Sequence, residues 1–242
     1  MSAELKQVIK REYLQCAQDP VHFMRKYCTI QHPTRGKMKF NLYDFQQKML
    51  TNFKDNRYNI ILKSRQLGIS TLSAGYSLWL MLFNPDKNIL VVAKDKDTAK
   101  NLVTKVRVMY AGLPSWLNTP VDEDNKLSLR FQNGSQIKAV AATAEAGRSE
   151  ALSLLVLDEA AFIDKIDTIW TAAQQTLATG GDCIALSTPN GVGNWFHQQW
   201  MGAKDGTNGF HPIKLHWTSH PDRDQAWRDE QDTVLGPSQA AQ

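Results

Sequence analysis

The chain has 242 residues, 42% of them hydrophobic and 21% charged, with a formal net charge of +4. That length suits one domain with a small appendage, and the excess of positive charge is too slight to establish nucleic-acid binding by itself. No apolar run approaches the roughly 20 residues of a membrane span, the first residues lack a signal-peptide core, and Cys16, Cys28 and Cys183 lack the spacing of a disulfide framework, which suggests a reducing cytosol.

Residues 1–30 alternate charged and apolar positions at helical spacing, with Leu5, Val8, Ile9 and Tyr13 on one side. They predict one or two helices packing on the core or on a neighbouring subunit. Residues 31–41, with Pro33 and Gly36, predict a loop or short hairpin. A helix over 43–53 follows and carries Tyr43 and Gln46. A glutamine amide both donates and accepts, as the edge of an adenine requires; a surface glutamine is the plainer alternative.

Residues 59–62 form an apolar strand, and 70–83 a helix stopped by Asn84-Pro85-Asp86. Between them runs Lys63-Ser64-Arg65-Gln66-Leu67-Gly68-Ile69-Ser70-Thr71. The usual phosphate loop is G-x-x-x-x-G-K-[ST] between a strand and a helix. Here Lys63 stands where the first glycine belongs and Ile69 where the lysine belongs. The backbone N–H groups and the positive end of the following helix still face a phosphate. Gly68 still allows close approach, and Ser70 is placed to give its hydroxyl to Mg²⁺. The missing cation must come from Lys63 or Arg65, with Lys63 the better placed and Arg65 a second phosphate or sensor contact.

A second buried strand is expected at 88–93 and a helix at about 97–110. Lys94, Lys96, Lys100, Lys105 and Arg107 read as a solvated helix face rather than a DNA track. The acidic Asp122-Glu123-Asp124 reads as a solvated loop. Residues 127–132 and 135–141 alternate across Asn133-Gly134, a hairpin signal. A small, polar stretch at 143–150 holds Arg148 just ahead of the apolar run 154–157, which ends in Asp158-Glu159. Acidic groups directly after a wholly apolar strand are costly to bury unless a metal or a partner compensates them. The pattern is that of a Walker B strand, with Asp158 on Mg²⁺ and Glu159 orienting and activating water. A helix N-cap at Asp158 is the structural alternative.

Asp164 or Asp167 is expected to cap a helix reaching Leu177, with Ile169, Trp170, Ala173 and Leu177 inward. Residues 183–186 form another strand, ending in Ser187-Thr188-Pro189-Asn190-Gly191. A helix over 194–201 presents Trp195, Phe196 and Trp200 as core, and 210–217 is a last strand. His211, His216, His220, Asp222 and Asp224 match no strong metal-ligand spacing, and 236–242 reads as a frayed linker.

Taken in order, Leu42-Tyr43-Asp44-Phe45-Gln46-Gln47, the loop from Lys63 to Gly68, Arg148, Asp158-Glu159-Ala160-Ala161-Phe162-Ile163 and Ser187-Thr188-Pro189-Asn190-Gly191 resemble the ATPase domain of tailed-phage large terminase subunits. The resemblance covers about residues 40–200. It implies an α/β fold: a three-layer, mostly parallel sheet of the additional-strand, RecA-like P-loop type. It further implies ATP bound by Tyr43, Gln46 and Lys63 to Thr71, with Mg²⁺ on Ser70 and Asp158. Lys63 fits the lambda-like members, whose lysine begins the loop. Arg148 matches an arginine acting on the γ-phosphate of its own or the next subunit, and Ser187 and Thr188 fall in the coupling motif.

The implied partners are double-stranded DNA, a portal protein, a small terminase subunit and further copies in a ring on the procapsid, in the host cytoplasm and with no membrane. Residues 1–40 would be a helical or lid segment, 41–218 the ATPase core, and 219–242 a linker or the start of a small subdomain. The family's C-terminal nuclease domain is not expected in this chain. Two other readings stand beside this one: a superfamily-2-like helicase core, echoed at Asp158-Glu159-Ala160-Ala161 and Ser187-Thr188-Pro189, and a nucleotide-binding assembly module without hydrolysis, suggested by Ile69.

Overall fold

The fold is that of a computed structural model, which describes residues 2–32, 34–143 and 151–236. Two helices, α1 (Ala3–Gln18) and α2 (Pro20–Tyr27), lead into a hairpin of β1 (Thr29–His32) and β2 (Gly36–Lys39). The rest of the chain alternates strands and helices: α3 (Asp44–Asp55), β3 (Tyr58–Lys63), α4 (Ile69–Phe83), β4 (Asn88–Ala93) and α5 (Lys96–Ala111). Three strands follow, β5 (Val121–Asp124), β6 (Ser128–Phe131) and β7 (Gln136–Ala141), then β8 (Leu154–Asp158), α6 (Ile166–Leu177), β9 (Asp182–Ser187), α7 (Trp195–Lys204), β10 (Phe210–Leu215) and α8 (Gln225–Leu235).

Eight strands form one sheet in the order β10-β3-β9-β8-β4-β7-β6-β5. The pairings from β10 through β7 are parallel, while β6 and β5 extend one edge antiparallel. Strands buried on both faces need apolar residues at every position. Along β8, Leu154 and Val156 enter the core under α4 and α5, while Leu155 and Leu157 enter the core under α6 and α7. Helix α4 is apolar on nearly all sides, as suits a helix covered all round. It buries Ile69, Leu72, Leu78 and Met81 among others. The result is the expected three-layer α/β sheet, and β9 lies between β3 and β8, the position of the additional strand.

Several local expectations need correction. The acidic Asp122-Glu123-Asp124 belongs to edge strand β5 rather than a loop, and Arg107 and Arg130 pair with Asp124 and Asp122. Opposite charges there compensate the low strand propensity of the carboxylates. Helix α6 starts at Ile166 with Lys165 as its N-cap in a left-handed conformation, so neither Asp164 nor Asp167 caps it. The apolar side of α1 does not pack on the core throughout: Leu5, Val8 and Tyr13 are exposed, and α1 joins the core chiefly through Cys16. After 219 the chain forms α8 over 225–235, in the stretch read as a linker or the start of a small subdomain. Among the described residues no helix is long and apolar enough to cross a membrane.

Candidate active site

Sheet register gathers the site. Leu62 of β3 pairs with Ser187 of β9, Leu186 of β9 pairs with Asp158 of β8, and Lys63 ends β3. Three adjacent parallel strands therefore finish side by side with Lys63, Ser187-Thr188 and Asp158-Glu159. Ligands in open α/β sheets bind outside these carboxyl ends.

After β3 the chain turns through the loop and enters α4. Ser64 N–H donates to the Leu215 carbonyl at 3.0 Å, fixing the loop's start to β10. Gly68 is the N-cap of α4 with φ +75°, a conformation that suits glycine. A Cβ there would lie 2.8 Å from Gln46 Nε2, so a larger residue would have to move that amide from the Leu67 carbonyl. Leu67 and Ile69 are buried and anchor the helix start in the core. Ile69 therefore leaves the ordinary lysine position without a cation. Gln66 also has positive φ, 59°. Among the described residues the N–H groups of Gln66 and Leu67 meet no protein acceptor.

Lys63 fills part of the gap. Only 7% exposed, its Nζ lies 2.7 Å from Glu159 Oε1. The other oxygen of Glu159 accepts from Thr188 N–H at 3.2 Å, Thr188 Oγ1 at 3.3 Å and Ser187 Oγ at 3.4 Å. One carboxylate thus joins the end of β3 to the tip of β9. Glu159 itself is left-handed, with φ 54° and ψ 48°. Such a conformation costs a non-glycine residue about 1–3 kcal/mol and clusters at functional sites. Burial pushes Glu159 up, but the Lys63 ammonium and the Thr188 donors outweigh it and hold the carboxyl below its ordinary range.

Asp158 is 4% exposed, and its Oδ1 accepts from Ser70 Oγ at 2.9 Å. Burial, and then the neighbouring Glu159 charge, push its carboxyl above the ordinary range despite Ser70 and Lys63. A hydroxyl and a buried, under-compensated carboxylate at hydrogen-bond distance make a hard-oxygen pair suited to Mg²⁺. A helix N-cap at Asp158 is not seen: the 3-10 turn Ala160–Phe162 follows Glu159.

Gln46 is buried beside the loop. Its Oε1 accepts the Tyr43 N–H at 3.1 Å and its Nε2 donates to the Leu67 carbonyl at 3.1 Å, with 3% exposure. The amide braces the loop through one N–H and its oxygen. Tyr43 instead packs against Phe45 and His220, at 5.8 and 4.7 Å between ring centroids. Thr71 lines a small cavity of about 210 Å³ with Ile30, Gln31, Thr104 and Lys105. Arg148 lies outside the described residues.

Two residues near the site escape a reading of the sequence. Lys105, expected on a solvated face, is half-buried, and burial lowers its pKa while the Asp158 carboxylate draws it back up. Its position three residues after Leu102 and four before Met109, on the edge of the buried stripe of α5, is a usable signal. Arg223 donates to the carbonyls of Arg65 and Gln66, and nothing in its local sequence announces that. The histidines and aspartates of 211–224 form no metal-holding cluster; among the described residues the one such group is Glu12, Cys16 and His22.

A β3-loop-α4 phosphate cradle, an acidic pair on the second strand away and an additional strand between them define an ATPase of the P-loop, additional-strand class. The family model for "Terminase large subunit, T4likevirus-type, N-terminal" matches residues 60–234. The chain belongs to that family, which decides against the helicase reading.

Solved structures share the fold. The ATPase domain of the Thermus phage P74-26 large terminase is 22% identical, with a TM-score of 0.60 over 77% of this chain and 86% of that one. The large terminase of bacteriophage HK97 is 18% identical, with a TM-score of 0.66 over 93% of this chain and 50% of that one. The large terminase of a thermophilic bacteriophage, in complex with ATP-gamma-S, is 15% identical, with a TM-score of 0.61 over 80% of this chain and 49% of that one. The chain therefore spans about half the length of the latter two proteins.

Proposed function

We propose that this chain is the ATP-hydrolysing motor portion of a phage terminase large subunit, coupling Mg-ATP hydrolysis to the movement of double-stranded DNA into a procapsid. The observation that carries this reading is the Glu159 carboxylate, held at once by Lys63 of the phosphate loop and by Thr188 of the coupling strand. Such a group links hydrolysis to a change elsewhere in the molecule. An assembly module without turnover would have no use for a strained, charged residue at that junction.

Ser70 and Asp158 would hold Mg²⁺, which when bound supplies charge neutralisation on the β- and γ-phosphates. The loop N–H groups from Gln66 onward receive the phosphate oxygens. Lys63 is drawn towards the γ-phosphate, and the Glu159 carboxylate, released from the ammonium, orients the attacking water and takes its proton. Loss of that pairing alters the bonds to Ser187 and Thr188, so the tip of β9 registers the state of the nucleotide. Arg148 would add positive charge at the γ-phosphate, from its own subunit or a neighbour. Tyr43 would pack beside the base.

The ATP-gamma-S complex of the thermophilic phage protein and the P74-26 domain are likenesses of fold; the partners proposed for this chain follow from family membership. They are double-stranded DNA, a portal protein, a small terminase subunit and further copies of the chain in a ring docked on the procapsid in the host cytoplasm. Phosphate release should be measured from the wild-type chain and from Glu159→Gln, alone, with DNA and with portal-bearing procapsids. Mg²⁺-dependent hydrolysis by the wild type, raised by DNA and procapsid and lowered by about 10²–10⁴-fold by the substitution, is expected. Undiminished hydrolysis in the variant would remove Glu159 from its role.

A further inference from the structure

The segment after β10 returns to the phosphate loop from outside. Arg223 Nη1 donates to the Arg65 carbonyl at 3.0 Å and Nη2 to the Gln66 carbonyl at 3.3 Å. We propose that Arg223 is a positioning residue for phosphate binding: its guanidinium holds these two carbonyls outward and thereby aims the next two N–H groups inward. This inference rests on the ATPase reading and adds to it a residue that touches no nucleotide.

The geometry follows from the peptide plane. In a trans peptide the carbonyl of one residue and the N–H of the next point to opposite sides. Holding the Arg65 carbonyl therefore sets the Gln66 N–H, and holding the Gln66 carbonyl sets the Leu67 N–H. These are N–H groups without a protein acceptor among the described residues. The arrangement also stabilises Gln66 in its left-handed conformation, φ 59°, which a residue with a side chain does not readily hold alone.

The fork is itself held. The guanidinium lies 4.5 Å over the Trp227 ring, and Trp227 stands 5.8 Å from Trp217. Arg223 N–H donates to the His220 carbonyl at 3.1 Å, and the His220 ring packs on Tyr43. Asp224 caps α8 immediately afterwards. Two donors in one rigid plane span two carbonyls, which a lysine ammonium on a flexible stem cannot do in the same way. Because the partners are neutral carbonyls, the positive charge also favours an anion on the opposite side of those planes.

Coupling between two sites is reciprocal. If Arg223 preorganises the loop, a phosphate in the loop must in turn tighten the segment carrying Arg223. Helix α8 buries no residue fully, so its amide protection is a sensitive reporter.

The test compares the full wild-type chain with Arg223→Ala and Arg223→Lys, titrating each with MgADP by calorimetry and following amide exchange across 225–235. Arg223→Ala should weaken MgADP binding about ten-fold, and Arg223→Lys should recover only a small part. MgADP should slow exchange in 225–235 of the wild type and not of either variant. Equal MgADP affinity in all three proteins, or exchange in α8 indifferent to MgADP, would overturn the proposal. Should Arg223→Ala fail to fold, Arg223→Lys alone decides by the same two criteria. A wild type that binds no MgADP would overturn the ATPase reading itself, a result distinct from equal binding by all three.

Discussion

Two clusters of carboxylate chemistry in this molecule are built to opposite rules. In the N-terminal helices, Glu12 Oε1 lies 2.7 Å from His22 Nε2, 2.9 Å from Lys26 Nζ and 2.9 Å from the Tyr27 hydroxyl. Burial alone would raise its pKa, but these donors outweigh it and hold the carboxyl at about 2. At the carboxyl ends of β3, β8 and β9, two adjacent carboxylates share one close ammonium, Lys63. Glu159 is held down and Asp158 is pushed up. The first cluster gives a single carboxylate three close donors and acts as a staple between α1 and α2. The second is short of positive charge, and that shortage is what a metal ion and a cationic loop are suited to correct. The balance of charge, rather than burial, separates the lone Glu12 carboxylate from the Asp158-Glu159 pair.

The sharpest way to break this contrast is to neutralise Glu159. Glu159→Gln keeps the shape and removes the charge, and with it the proposed proton acceptor. Turnover should fall by about 10²–10⁴-fold, the range typical of losing a general base, while an ATP analogue still binds. Single-turnover phosphate release and analogue titration separate the two effects. Lys63→Ala should come next and should cost more activity than Arg65→Ala, because Lys63 is the ammonium bonded inside the site. If Arg65→Ala proves the more damaging in a side-by-side ATPase assay, the displaced-lysine role passes to Arg65.

Asp158 offers a milder test with a definite sign. Its carboxyl is raised in the fold, so its effect on stability is most favourable at low pH and is lost as pH rises through the folded value. Holding it ionised works against the unliganded protein. Asp158→Asn should therefore raise the thermal midpoint of the unliganded chain by a few degrees, about 1 kcal/mol, while abolishing Mg²⁺ dependence. In the wild type, Mg²⁺ binding should weaken on acidification from a pH above the usual carboxylate range, because the proton and the metal compete for one site. A thermal midpoint lowered by Asp158→Asn would mean that the charge is already well compensated.

Much of this is legible in the sequence because the relevant signals are local. Continuous apolar runs ending in polar residues mark β3, β8 and β9. The loop between β3 and α4 and the Asp158-Glu159 pair name most of the site. What is not legible depends on contacts far apart in the chain. Gln46 is read as an adenine contact, and the bonds of its amide to the Tyr43 N–H and the Leu67 carbonyl have no signature in its spacing. Arg223 reaches carbonyls more than 150 residues away, and carbonyls carry no sequence signature. The acidic run in β5 looks solvated because its arginine partners come from α5 and β6. Lys105 escapes for a different reason: its charge suggests solvent, while its place beside the apolar stripe of α5 decides its burial.

The smallest effect belongs to the staple. Glu12→Gln retains an acceptor oxygen but loses the charge that His22, Lys26 and Tyr27 share, and the hydrogen bonds involved are charge-assisted. A loss of about 1–3 kcal/mol is expected, or roughly 2–4 °C in thermal midpoint for each kcal/mol in a chain of this size. The pH dependence runs opposite to that of Asp158. Because the folded Glu12 sits at about 2, below its ordinary 4.5, its contribution is complete above 4.5 and disappears as pH falls towards 2. Wild type and Glu12→Gln should therefore converge in stability on acidification while separating at neutral pH. ATP hydrolysis measured well below both midpoints should be the same for the two proteins. A fall in turnover without a fall in stability would instead tie the N-terminal helices to the chemistry, and the division between staple and site would fail.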